Sequence, residues 1–145
     1  MIDYKKHIKE YQDFPIDGVK YYDLNELYKF SGVRRELVKD ICEQITEGID
    51  LGIFSEFDYV GVVESRGFIF GAALANRLKI SFIPIRKKGK LPGETISRDF
   101  ELEYGSASIE IKNESLKGKN ILIIDDLLAT GGTVEAAVKM IEELE

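Results

Sequence analysis

The residues best equipped for chemistry are a pair of acids, Asp125 and Asp126, and a small-residue loop just after them, Ala129, Thr130, Gly131, Gly132 and Thr133. Glycines let backbone N–H groups approach an anion with no side chain between them, and the two threonines add hydroxyl donors. A helix opening after the glycines would aim its positive end at the same point. A phosphate fits that setting. The carboxylates would repel it at close range, but they can accept hydrogen bonds from sugar hydroxyls. Together the two features describe a site for a ribose and its 5′-phosphate. No Gly-Lys-Thr follows the glycines, so the loop is not a Walker A motif.

Such a loop needs a strand to carry it. Ile121, Leu122, Ile123 and Ile124 form a continuous aliphatic run that predicts a parallel strand buried on both faces. Open α/β sheets place their ligands beyond the carboxyl ends of such strands. A second unit repeats the plan, with a strand over Tyr59 to Val63, a polar turn over Glu64, Ser65, Arg66 and Gly67, and a small-residue helix over Phe68 to Leu78. Arg66 in that turn could fork onto a phosphate or pair with Glu64. A third strand, Ser81 to Arg86, runs into Arg86, Lys87, Lys88 and Lys90, interrupted by Gly89, Pro92 and Gly93. That composition suits a mobile lid over a polyanion. Alternation from Phe100 to Ile111 predicts an extended or hairpin piece, with Glu101 and Glu103 on one face and Leu102 and Tyr104 on the other.

The remainder reads as scaffold. Tyr4, Ile8 and Tyr11 are spaced for an amphipathic helix from Asp3 to about Gln12, Asp13 to Gly18 is turn chemistry, and Val19 to Leu24 is a short extended piece. Val33, Leu37, Ile41 and Ile45 predict a helix to about Gly48, with Ser31 as its cap, and a last helix is expected from Thr133 to about Leu144. At 145 residues the chain is one domain, and with 32% charged residues and a net charge of −6 it should not seek nucleic acid or a membrane surface as a whole. Cys42 is the single cysteine, which excludes an internal disulfide and points to a reducing compartment; within a helical pattern it reads as core. His7 is the single histidine, so a metal cluster or a Cys/His dyad has no support. No segment approaches the roughly 18 apolar residues of a membrane span, and the amino-terminal MIDYKKHIKE does not read as a signal peptide, so a cytoplasmic location is expected.

The run from Ile121 to Thr133 closely resembles the signature for phosphoribosyl pyrophosphate (PRPP) of the type I phosphoribosyltransferases. The turn at Arg66 resembles that family's pyrophosphate loop, in which a non-proline cis peptide often precedes the arginine; here it would join Glu64 and Ser65. RKKGKLPGE and LEYG resemble the adenine phosphoribosyltransferases more specifically. The resemblance runs from about Phe14 onward. It implies an α/β fold with a mostly parallel central sheet flanked by helices, all in one domain over 1–145. It further implies a small hood over 1–30 and a flexible lid loop over 86–104. Family members usually continue with another strand and a segment lining the base pocket, so the fold reads as shortened at its carboxyl end.

The implied reaction is transfer of the 5-phosphoribosyl group from PRPP to adenine, giving AMP and pyrophosphate, in purine salvage. The resemblance gives Glu103 the catalytic position and Tyr104 that of the aromatic closing over the site. Asp125, Asp126 and Ala129 to Thr133 would hold PRPP, and Ser65, Arg66, Arg86, Lys87 and Lys90 its pyrophosphate. Lys20, Tyr21 and Tyr22 would face the base; adenine enzymes commonly carry Phe-Arg-Asp-Ile where this chain has Tyr21, Tyr22, Asp23 and Leu24. Mg²⁺ is implied as cofactor, held mainly by PRPP oxygens and water with no direct protein ligand, and a homodimer is implied. The alternatives are a related transferase for hypoxanthine or guanine, and a regulator that binds PRPP or a nucleotide without turnover.

Overall fold

The computed structural model describes residues 2–101 and 105–144. The chain divides into two compact units, Met1–Glu47 and Gly48–Glu145.

In the first unit a 3-10 turn, Tyr4–His7, leads into strand β1, Lys9–Tyr11, which pairs antiparallel with β2, Tyr21–Asp23, in the register Lys9↔Asp23 to Tyr11↔Tyr21. The helix expected from Asp3 to Gln12 is therefore not formed. The Tyr4 hydroxyl donates to the Asp40 carboxylate and fixes a single turn. Ile8 is already extended, and the pairing with β2 claims the residues that follow. Long-range pairing overrides a weak local period. Between the strands the Gly18 N–H donates to Asp13 Oδ1 at 2.8 Å, and Asp13 and Gly18 both take positive φ. A short helix α1, Asn25–Lys29, buries Leu27; one turn is too little to show in a periodicity. Helix α2, Ser31–Asp50, follows and buries Val38, Cys42 and Ile45, so Cys42 is a core residue as its pattern indicated.

The second unit is a sheet with a helix on each face. Strand β3, Tyr59–Val63, helix α3, Gly67–Leu78, and strand β4, Ser81–Lys87, follow one another; then come β5, Thr95–Glu101, β6, Ser106–Lys112, β7, Ile121–Ile124, and helix α4, Gly132–Glu142. The strand order is β5-β6-β4-β3-β7. The sheet is mixed: β7, β3 and β4 run parallel, and β6 alone is reversed, antiparallel to both β4 and β5. The reason is the hairpin of β5 and β6, which returns the chain beside β4 without a crossover.

Both faces of β3 are buried. Val60 and Val62 pack with Ala75 of α3 and Phe68, while Val63 joins Ile85, Ile109, Ile111, Ala136, Ala137, Met140 and Ile141 in the core under α4. Gly71 brings α3 against β3 so closely that a Cβ there would lie 2.4 Å from both methyls of Val62. Among the described residues no helix is long and apolar enough to cross a membrane.

Candidate active site

Because β3, β4 and β7 are parallel and in register, their carboxyl ends share one edge of the sheet. The turn after β3, the basic turn after β4 and the acidic turn after β7 all leave from that edge. Three stretches separated in sequence are thereby gathered, as the open-sheet rule requires.

At the end of β3 the Glu64–Ser65 peptide is cis, where the sequence resemblance placed it. Ser65 is exposed. Arg66 precedes α3, and its Nε lies 2.9 Å from Oδ2 of Asp126, whose side chain is only 4% exposed. The acid that Arg66 meets is thus Asp126, and Glu64 is otherwise engaged. Glu64 accepts from Arg86 Nε at 3.0 Å, from Arg86 NH2 at 3.4 Å and from the Lys87 N–H at 3.1 Å. Burial works to raise the Glu64 carboxyl, but the Arg86 guanidinium and the Lys87 N–H outweigh it and hold it below the usual range.

At the end of β7, Asp125 is half-buried and accepts the Asp126 N–H at 2.8 Å. Burial, reinforced by the neighbouring Asp126 carboxylate, pushes Asp125 up from 3.8 to about 6. Gly67 makes room for it, since a Cβ at Gly67 would lie 3.1 Å from Asp125 Oδ1 and 3.3 Å from the Ile124 carbonyl. Beyond the acids, Ala129 and Thr130 are exposed and Thr133 is half-buried. Gly131 takes φ +85°, open to glycine but costly for other residues, and from there α4 begins with no side-chain cap on its first N–H groups. These amides and the helix dipole meet the requirements of a phosphate. Gly132 lies against the end of β5, where a Cβ would sit 3.0 Å from the Glu101 carbonyl.

Within the segment expected as a lid, Thr95–Glu101 forms strand β5. Lys87, at the end of β4, and Lys88 and Lys90, on the turn that follows, are exposed. The turn is tied from both sides. Arg86 NH1 donates to the Lys90 carbonyl at 3.1 Å, and the N–H groups of Lys90 and Leu91 donate to Glu110 Oε1 at 2.6 and 2.7 Å. Glu110, on β6, is 3% exposed and was invisible to sequence reasoning. Glu103 and Tyr104 lie outside the described residues. In the first unit, Lys20 pairs with Glu10 at 2.6 Å and stands 5.2 Å over the Tyr22 ring, while Tyr21 meets Phe14 edge-on at 5.1 Å. Among the described residues no group of three or more His, Cys, Asp or Glu side chains is placed to hold a metal ion.

Comparison with known proteins shows the family. Residues 34–145 match the family model "Phosphoribosyl transferase domain". An adenine phosphoribosyltransferase of Thermoanaerobacter sp. (strain X514) is 43% identical over 141 residues, spanning 97% of this chain and 78% of the relative. The crystal structure of the adenine phosphoribosyltransferase from Thermoanaerobacter pseudethanolicus superposes with a TM-score of 0.84 at 41% identity, over 98% of this chain and 79% of the other. That of the Saccharomyces cerevisiae adenine phosphoribosyltransferase, complexed with an imino-altritol bisphosphate and adenine, gives 0.86 at 35% identity, over 99% and 80%. The chain belongs to the phosphoribosyltransferase family and, within it, groups with the adenine phosphoribosyltransferases.

Proposed function

We propose that the chain transfers the 5-phosphoribosyl group of PRPP to N9 of adenine, releasing pyrophosphate and forming AMP. The observation that carries this reading is the convergence on one sheet edge of an acid pair, an uncapped glycine-opened helix and a tethered basic turn. In the reaction the anomeric C–O bond breaks, positive charge builds on the sugar, and a highly charged pyrophosphate departs. Cations at the leaving group are then the largest source of stabilisation. Arg66, Arg86, Lys87 and Lys90 take that role, with Ser65 beside them. Asp125 and Asp126 hold the ribose hydroxyls, and Ala129 to Thr133 hold the 5′-phosphate. Glu103 assists proton movement at N7 as N9 attacks, Tyr104 closes over the site, and Lys20, Tyr21 and Tyr22 line the base pocket. These last assignments rest on the family motif.

The residues present suit a Mg²⁺ ion that arrives on its substrate: Asp125 and Asp126 are the acids assigned to the ribose, and Asp126 already holds Arg66. When bound, Mg²⁺ supplies positive charge to the pyrophosphate oxygens. A cytoplasmic homodimer is the setting that fits, given one buried cysteine and the family's habit. Mixing the protein with PRPP, Mg²⁺ and adenine tests the reading. AMP and pyrophosphate should appear in equal amounts; PRPP binding without either product would leave a regulator in its place.

A further inference from the structure

Glu110 is a buried carboxylate that none of the assigned roles uses. It lies on β6 directly opposite Arg86 of β4 and Ser97 of β5, so all three side chains share a face of the sheet. Local alternation would turn that face to solvent, yet Glu110 is 3% exposed because the turn after β4 folds over it. Its Oε1 accepts two successive backbone N–H groups, Lys90 at 2.6 Å and Leu91 at 2.7 Å, and the Gly89 N–H contributes as well. Its Oε2 lies 3.4 Å from the Thr95 hydroxyl. Two residues on, the Lys112 ammonium reaches the Pro92 carbonyl, so one face of β6 holds the turn by both kinds of backbone group.

This arrangement inverts the usual anion nest. Successive amides that could have taken up a phosphate are already occupied by a protein carboxylate. At Lys90 and Leu91 the turn can therefore meet an anion only through its side chains. Arg86 is fixed in the same way, with Glu64 on its Nε and NH2 and the Lys90 carbonyl on NH1.

We propose that Glu110 is a positioning residue: by holding the Gly89, Lys90 and Leu91 amides it fixes the basic turn so that Lys87, Lys90 and Arg86 stand ready for the departing pyrophosphate. Burial opposes ionisation of Glu110, but the backbone N–H donors outweigh it and hold the carboxyl below its usual range, so the anchor stays charged throughout the neutral range.

The proposal rests on the reading that this turn meets pyrophosphate, and the test separates the two. Binding of inorganic pyrophosphate with Mg²⁺, and separately of ribose 5-phosphate, is measured by calorimetry for the parent protein, Glu110→Gln and Glu110→Leu. Glutamine keeps a neutral oxygen for the two amides, and weaker pairing should raise the Kd for pyrophosphate about threefold to tenfold; leucine leaves the amides unpaired and should raise it about thirtyfold or more. Ribose 5-phosphate, which needs only the acid pair and the Thr130–Thr133 loop, should bind all three proteins within about twofold, a difference of only about 0.4 kcal/mol. Equal loss of both ligands would show a merely structural role and overturn the proposal, as would unchanged pyrophosphate binding in both variants. Should the leucine variant fail to fold, the glutamine variant decides alone. A parent protein that binds ribose 5-phosphate and no pyrophosphate would instead sink the assignment of the turn, and the proposal with it.

Discussion

Asp125 should cost the free protein stability that its function requires. Its folded-state pKa of about 6 stands above the ordinary 3.8, so between those values the folded state holds a proton that the unfolded chain has released. Its contribution to stability therefore falls as pH rises from about 4 through about 6 and stays low above that. At about 1.4 kcal/mol per unit, the rise corresponds to a ceiling of about 3 kcal/mol, and solvent screening of a half-buried group brings this to about 1–2 kcal/mol. Asp125→Asn keeps the Oδ1 acceptor for the Asp126 N–H and removes the charge. The variant should melt about 3–6 °C higher than the parent at pH 8, and the two melting curves should converge near pH 4. Scanning calorimetry from pH 4 to pH 8 makes the comparison. The same change replaces a charged acceptor for a ribose hydroxyl with a neutral one, so kcat/KM for PRPP should fall about tenfold to a hundredfold. A melting difference independent of pH, or a variant less stable than the parent at pH 8, would show that the Asp125 charge does not destabilise the folded protein.

Gly71→Ala should be among the most damaging single-methyl changes in the second unit. Its Cβ would lie 2.4 Å from both methyls of the fully buried Val62. Overpacking of this kind costs about 1–3 kcal/mol and should lower the urea midpoint by about 1 M, and an unchanged midpoint would show that α3 moves away freely. Arg86→Lys keeps the charge but cannot hold the Glu64 carboxylate and the Lys90 carbonyl together. The KM for PRPP should rise about tenfold while that for adenine stays within about twofold; equal rises in both would separate Arg86 from the leaving group.

Much of the second unit was legible because its signals are local. The strand Tyr59–Val63 and the aliphatic strand Ile121–Ile124 appear where the sequence put them, and α3 and α4 begin within one residue of expectation. Once two strand, turn and helix units were recognised, a shared ligand edge followed from parallel pairing. What stayed hidden depends on long-range contact. The periodicity around Ile8 reads as helix, yet Lys9–Tyr11 becomes a strand because β2 is there to pair with it. Glu110 alternates with Ile109 and Ile111 like any outward residue of a strand, and only the fold of a turn some twenty residues earlier buries it. The partners of the arginines were likewise closed to inspection. Glu64 is the nearest acid to Arg66 in the chain, but across the sheet edge Arg66 meets Asp126 and Glu64 meets Arg86. The acid pair at Asp125 and Asp126 and the glycine loop could be singled out as candidates because they are neighbours in sequence.

Transfer of a phosphoribosyl group to adenine at this sheet edge is measured directly as pyrophosphate release from PRPP and Mg²⁺ across a panel of bases. Adenine should release pyrophosphate in step with AMP, while hypoxanthine, guanine and the pyrimidine bases should leave PRPP intact. Comparable turnover of hypoxanthine or guanine, or saturable PRPP binding with no release for any base, would rule out adenine as the dedicated acceptor.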